Sequence, residues 1–188
     1  MPTILDTYRK DLKYGAGHGY GRQFSDPSGK LLWTGLRADA PTSVIVHATH
    51  GRPGTASASE AAFLRDSPNV SAHYLVAHDG RIFRILPDTF VAWHAGDALP
   101  AFTNPHSIGI ELHAAITEPI TGAQKQALAE LLRDLAARWR IAAPLIDSHR
   151  AVALPKGRKS DPATWPQAEL RAWVDGVLTC RPADAPPA

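Results

Sequence analysis

The feature that most restricts the fold is an alternation of strand-like and helix-like segments between residues 43 and 180. The run SVIVHAT, from Ser43 to Thr49, is rich in β-branched residues and predicts a buried strand. Two shorter apolar runs flank Asp79-Gly80, a dipeptide that favours a tight hairpin turn. SIGIELH, from Ser107 to His113, predicts a further strand. This alternation predicts an α/β fold, a single domain in which helices flank a central mixed β-sheet.

Three helices are predicted around these strands. The first begins near Ser57, where Ser57 and Glu60 have the spacing of a capping box. Thr121 and Gln124 have the same spacing and precede a long amphipathic segment. The third begins near Pro166. The apolar stripes of the last two helices contain Gln124, Leu128, Leu131, Leu135 and Trp139, and Leu170, Trp173, Val174, Val177 and Leu178, respectively.

Composition agrees with one folded domain and narrows the class of function. Of 188 residues, 44% are hydrophobic and 20% are charged, which allows a substantial core. The net charge of +2 includes no cluster of basic residues dense enough to indicate nucleic-acid binding. No segment reaches the roughly 18 apolar residues of a membrane span. Cys180 is the single cysteine, so a metal site would need histidine and carboxylate ligands.

We divide the chain into three parts. Residues 1–40 are polar and glycine-rich and are predicted to form an arm packed on the domain. Residues 41–180 carry the candidate site, and residues 181–188 are predicted to be a flexible tail. The N-terminal segment has no apolar run of the kind found in secretory signals, so we expect synthesis in the cytoplasm. We also expect a monomer.

The segment SHRAVALPKGRKSDPAT, from Ser148 to Thr164, places an imidazole, an ammonium and a carboxylate in one loop. A short predicted strand, APLIDSH, ends at His149, and side chains at strand ends are commonly functional. Asp161 precedes a proline, which favours extended backbone, so Lys159 and Asp161 can face the same side. On spacing alone, a solvent-exposed loop pair explains Lys159 and Asp161 better.

Together with two residues of the predicted strands, this loop supplies the parts of a hydrolytic site. His47 taken alone is more simply a hydrogen-bonded core histidine. Two histidines and one carboxylate, however, are the ligands of a catalytic zinc site with an open fourth position, which activates water. Glu111 is unfavourable to bury without a partner or a role. It could act as the general base, and Lys159 could stabilise an oxyanion.

Five blocks of the chain resemble the type 2 N-acetylmuramoyl-L-alanine amidases, in that family's order. They are VIVHAT, VSAHYLVAHDGRIFRILPD, AWHAG, SIGIEL and HR…GRKSDP, and they cover roughly residues 43–180. The resemblance implies the same mixed sheet with flanking helices. It also implies hydrolysis of the amide between N-acetylmuramic acid and the L-alanine of peptidoglycan.

The resemblance also implies roles for individual residues. His47, His149 and Asp161 would bind one zinc ion. Glu111 matches the family's catalytic glutamate, and Lys159 matches its transition-state-stabilising lysine. Three further residues are predicted to bind substrate or support the site: Trp93 and His94, which lie in the block at the edge of the family's substrate groove, and His113, which shares a strand face with the glutamate.

Several biological settings agree with these residues. The compact, slightly basic chain favours a lytic enzyme of the endolysin kind, which would act on the cell wall after release. The alternatives are a cytosolic amidase that recycles muropeptides and a non-catalytic peptidoglycan-binding module, although such modules typically lack part of the ligand set. A zinc peptidase acting on the stem peptide is a further alternative, but no H-E-x-x-H motif occurs.

Overall fold

The computed structural model describes residues 4–6, 23–25, 31–33, 37–52, 55–66 and 70–179. The strands are β1 (Ile4–Asp6), β2 (Gln23–Ser25), β3 (Leu31–Trp33), β4 (Ser43–Ala48), β5 (Tyr74–Val76), β6 (Ile82–Arg84), β7 (Ser107–Leu112) and β8 (Ile146–Ser148). The helices are α1 (Ser57–Asp66), α2 (Gly122–Trp139), α3 (His149–Val152) and α4 (Gln167–Thr179). Two 3-10 turns span Pro100–Phe102 and Ala143–Leu145.

Six strands form one mixed sheet in the order β1-β6-β5-β7-β4-β8. β5 and β6 are antiparallel and form the hairpin predicted at Asp79-Gly80, whereas the other neighbours are parallel. Gly80 has a φ of +84°, a conformation that glycine adopts without strain. The predicted fold class, a single α/β domain with a mixed sheet flanked by helices, is confirmed.

Two parts of the predicted arm contain described strands. β1 is the edge strand of the main sheet and pairs in parallel with β6. β2 and β3 pair with each other in a separate antiparallel ribbon. The rest of the arm up to residue 36 and the predicted tail at 181–188 lie outside the described residues. The domain boundaries at residues 40 and 180 therefore stay a prediction.

Different elements cover the two faces of the sheet at its centre. All six residues of β4 are buried, as expected for a strand with a parallel neighbour on each side. Val44 and Val46 belong to the core formed with α2 and α4. Ile45 packs on the opposite face with residues of the 95–102 segment and α3. Because side chains alternate along a strand, His47 also faces this second side, away from α2 and α4.

Of the two capping boxes predicted at helix N-termini, one is present and the other is not. Thr121 and Gln124 form the predicted capping box, with Thr121 Oγ1 accepting from the Gln124 N–H at 3.1 Å and Gln124 Oε1 accepting from the Thr121 N–H at 3.0 Å. Ser57 does not form the predicted box with Glu60. Its hydroxyl lies 2.6 Å from His113 Nδ1, and the Glu60 N–H donates to the Ala56 carbonyl. Among the described residues, no helix is long and apolar enough to span a membrane.

Candidate active site and metal centre

Three predicted metal ligands converge on one point. His47 Nδ1 and His149 Nδ1 are 3.0 Å apart, and each lies 3.1 Å from Asp161 Oδ2. All three residues are buried. In a tetrahedral zinc site, ligand atoms at ordinary bond lengths are roughly 3.3 Å from one another. The three side chains therefore fit a zinc ion closely and leave one tetrahedral position for water or substrate.

Sheet register and one loop contact bring these ligands together. β4 pairs in parallel with β8, where Val46 is opposite Ser148, so His47 and His149 follow at neighbouring strand ends. Asp161 arrives from the loop between α3 and α4. Its carbonyl accepts a hydrogen bond from the Arg150 N–H at 3.0 Å, which fixes the loop to the first turn of α3.

The protonation states of these groups favour metal binding near neutral pH. Burial lowers the pKa of His47 to about 4, a shift that the neighbouring Asp161 carboxylate opposes and that His149 and Lys159 increase. Burial acts to raise the pKa of Asp161, but the two imidazoles beside its carboxylate hold that pKa well below its ordinary value. His149 Nε2 is 3.0 Å from the Ala95 carbonyl, which can only accept, so the Nδ1 of the neutral ring keeps its lone pair.

Glu111 lies beside the ligands because of strand register. β4 and β7 are parallel, with Glu111 opposite His47. The Oε2 atom of Glu111 is buried and has no hydrogen-bond partner among the residues that the structure describes. Burial raises the pKa of Glu111 to about 8, with contributions from Asp161 and Glu60, whereas Lys159 lowers it. Such a carboxyl becomes a usable base once a cation stands nearby.

A cavity of about 280 Å³ opens over these groups. Lys159 reaches it from the loop that carries Asp161. Arg158 ties this loop to the segment before the 3-10 turn, since its guanidinium donates to the Ala95 carbonyl at 3.0 Å and to the Asp97 carbonyl at 2.6 Å. The titratable lining residues are His47, His50, Glu60, His94, Glu111, His149, Lys159 and Asp161, and the apolar ones include Phe63, Leu64, Val70 and Trp93.

A protein-family match covers the residues that form this site. A family model described as N-acetylmuramoyl-L-alanine amidase matches residues 37–164, which include all three candidate ligands, Glu111 and Lys159. The chain belongs to this amidase family. The match spans the central sheet from β4 to β8 and the loop that carries Asp161, which is the part of the chain that builds the site.

Individual amidases show how far the likeness extends. The 1,6-anhydro-N-acetylmuramyl-L-alanine amidase AmpD of Salmonella typhimurium (strain SL1344) is 38% identical over 104 residues, 52% of this chain and 54% of that protein. The chain thus spans about half the length of this curated relative. A solved complex of the Escherichia coli amidase AmiD with anhydro-N-acetylmuramic acid-L-Ala-D-γ-Glu-L-Lys has a TM-score of 0.60 and 30% identity, covering 72% of this chain and 58% of that chain.

A lytic enzyme shares the fold at lower identity. The structure of a mutant endolysin from Bacillus subtilis matches with a TM-score of 0.65 over 94% of this chain and 99% of that chain, at 22% identity. At this identity the match establishes the common amidase fold alone.

The predicted substrate-binding residues lie in three different environments. Trp93 is 47% exposed and stands at the rim of the cavity. His94 lines the cavity, and its ring is directed at His47. His113 does not line it. Its ring packs against His78 and its Nδ1 lies near the Ser57 hydroxyl. The substrate contact of His113 stays a prediction.

Four other groups at the site have no role there that the sequence predicts. Arg158 and the Ala95 carbonyl act through contacts between distant segments, which spacing does not reveal. His50 follows the end of β4 at Ala48, adopts a left-handed φ of +50° and lines the same cavity as His47. From the sequence, Glu60 is predicted only to cap a helix. Its place on the cavity wall depends on how α1 packs.

Proposed function

We propose that this protein is a zinc-dependent N-acetylmuramoyl-L-alanine amidase. The observation that carries the proposal is the convergence of His47, His149 and Asp161 within 3.1 Å of one another, beside an enclosed glutamate, in a chain of the amidase family. The bond cleaved would be the amide between the lactyl group of N-acetylmuramic acid and L-alanine.

The donor set fits zinc in its chemistry as well as its spacing. Neutral imidazole nitrogens and a carboxylate oxygen are common zinc ligands, and three protein ligands are typical of catalytic rather than structural sites. Zinc bound there would polarise the scissile carbonyl and lower the pKa of a water to ~7. The buried Oε2 of Glu111 also gains a nearby positive charge when the site is filled.

Glu111 and Lys159 would carry out the remaining chemistry. The Glu111 carboxylate accepts the proton of the attacking water and then delivers it to the amide nitrogen, which leaves as the amine of L-alanine. The Lys159 ammonium stabilises the negative charge on the carbonyl oxygen in the tetrahedral intermediate. The loop that carries Lys159 also carries Asp161, so binding of the metal by Asp161 helps to place the lysine.

Soluble 1,6-anhydro-muropeptides are the substrate class that we favour. The support is the 38% identity to AmpD and the 30% identity to the AmiD complex, both of which exceed the 22% identity to the endolysin. Trp93 at the cavity rim offers an apolar surface on which a sugar ring can stack. A lytic role on intact wall is the second candidate, supported by the endolysin fold match over nearly the whole chain.

Mass spectrometry of reaction products tests the proposal. Purified protein, loaded with zinc or treated with a chelator, is incubated separately with anhydro-muropeptides and with intact peptidoglycan. Free peptides beginning with L-alanine, formed only with zinc, are expected, and faster from the soluble substrate. Cleavage within the stem peptide would indicate a peptidase. Binding of either substrate without any product would indicate a recognition module and would contradict the proposal.

A further inference from the structure

The side chain of His94 makes a specific contact with a proposed metal ligand. His94 Nδ1 lies 3.0 Å from His47 Nε2, and the two rings are perpendicular with centroids 5.1 Å apart. A hydrogen bond between two neutral imidazoles joins one N–H to one lone pair, so it can run in either direction. The direction decides whether the Nδ1 of His47, the atom that faces His149 and Asp161, carries a lone pair or a hydrogen.

Ser107, on the far side of His94, indicates the direction. The Ser107 hydroxyl donates to the Thr103 carbonyl at 2.9 Å, with the Phe102 carbonyl also near at 3.2 Å. A carbonyl only accepts, so the single hydroxyl hydrogen is directed there and a lone pair faces His94 Nε2 at 3.4 Å. His94 therefore carries its hydrogen on Nε2 and accepts at Nδ1. In consequence, His47 carries its hydrogen on Nε2 and keeps the Nδ1 lone pair.

Local packing holds the His94 ring in this place. A Cβ atom at Gly109 would lie 2.5 Å from His94 Cγ, so the ring rests directly on the backbone of β7. Asn104 Oδ1 accepts from the backbone N–H of His94 at 3.1 Å and of Ala95 at 2.9 Å. The same Ala95 presents its carbonyl to His149 Nε2. Two adjacent residues thus contact both histidine ligands, one through a side chain and one through the backbone.

We propose that His94 is a positioning residue that holds His47 in the Nε2–H tautomer and directs its Nδ1 lone pair to the metal. The substrate contact predicted for His94 from sequence stays a prediction. Partners that fix the tautomer and orientation of a ligating histidine typically change metal affinity by ~10–100-fold when removed. The inference rests on the proposed function only in taking zinc as the metal.

Two substitutions separate the hydrogen bond from the volume of the ring. His94→Asn keeps an acceptor, because its Oδ1 occupies the same branch position as Nδ1 of histidine. His94→Phe keeps a ring of similar size and removes the acceptor. Zinc affinity is measured by competition with a chromophoric chelator at neutral pH. We expect ~10–100-fold weaker binding for His94→Phe and a change within ~3-fold for His94→Asn.

Equal zinc affinity of His94→Phe and the unsubstituted protein would overturn the proposal. Equal losses in both variants would overturn it too, because the ring and not its acceptor would then matter. The imidazole ¹⁵N chemical shifts of the metal-free, unsubstituted chain provide a test that needs no substitution of His94. The His47 signals, assigned by their loss in His47→Gln, are expected to show the Nε2–H tautomer, and the Nδ1–H tautomer would refute the role of His94.

The two proposals fail in different ways. If the unsubstituted protein bound no zinc, the metal assignment of the proposed function would be wrong, and the ¹⁵N shifts would still decide the tautomer of His47. If zinc bound tightly and the amide were cleaved but His94→Phe behaved like the unsubstituted protein, only the role of His94 would be wrong.

Discussion

At the scale of single residues, Glu111 combines a raised pKa with a buried carboxylate oxygen that has no hydrogen-bond partner within the described part of the chain. Glu111→Gln keeps the shape and removes the basic oxygen. We expect kcat to fall by ~10²-fold or more, which is the usual contribution of a general base, while zinc remains bound. Product formation and zinc content are measured on the same preparation.

Glu60, another carboxylate of the cavity wall, gives the comparison for this prediction. If Glu60→Gln abolished turnover while Glu111→Gln stayed active, the base would be Glu60, and the assignment made from strand register would be wrong.

Lys159 is an exposed cation on the cavity wall. Lys159→Met keeps much of the aliphatic stem and removes the charge. We expect kcat to fall by ~10²–10³-fold, as on loss of an oxyanion donor, with a smaller change in KM because the charge that it stabilises develops during the reaction. Steady-state kinetics on a soluble muropeptide measure both constants. Lys156→Met, three residues earlier on the same loop, is the control, and an equal loss in it would contradict a specific role for Lys159.

At the scale of elements, the loop between α3 and α4 depends on Arg158 for its position. Arg158→Ala removes its hydrogen bonds to Ala95 and Asp97. We expect activity to fall by roughly tenfold with the fold retained, because displacing a catalytic group by about an ångström is sufficient for losses of this order. Activity and circular dichroism are compared with those of Lys156→Ala. Full activity of Arg158→Ala would show that Asp161 and its metal alone hold the loop.

Local patterns predicted most elements but not their arrangement. The Thr121 capping box and the Asp79-Gly80 hairpin depend on residues close in sequence, and both are present. Strand order depends on contacts between distant segments, so the place of β1 at the sheet edge was not predictable. His113 shows the same limit, because its contacts with Ser57 and His78 depend on how α1 and the β5–β6 hairpin pack.

The sequence predicts which residues form the candidate site but not their geometry. The candidate ligands, Glu111 and Lys159 are indicated by family-like blocks in the sequence. The contact between His47 and His149 joins residues 102 positions apart and depends on the register of β4 with β8. The roles of the Ala95 carbonyl and Arg158 depend on backbone positions of the 95–97 segment, which no side-chain pattern encodes.

At the scale of the whole molecule, Glu111 should make the stability of the metal-free protein depend on pH. Its pKa is about 8 when folded and near the ordinary 4.5 when unfolded. The folded state therefore binds the proton more tightly, and stability falls as pH rises from 4.5 through 8. His47, with a pKa lowered from 6.5 to about 4, acts in the opposite direction below 6.5. Between pH 6.5 and 8, the contribution of Glu111 should dominate this pair.

Thermal unfolding of chelator-treated protein measures this effect. We expect the melting temperature of the unsubstituted chain to fall between pH 6.5 and 8 relative to that of Glu111→Gln, whose side chain does not ionise. Parallel pH dependence in the two proteins would mean that Glu111 is not buried as a neutral acid in the metal-free state.

The parallel register of β4 and β7 has a consequence for changes in chain length. One residue inserted within either strand turns the following side chains to the other face, so His47 or Glu111 would leave the cavity for the side covered by α2 and α4. The exposed residues 155–157 lie in a loop held at both sides, at Leu154 and Arg158. Insertion scanning should therefore find that the site does not tolerate an added residue in β4 or β7 but tolerates one at residues 155–157.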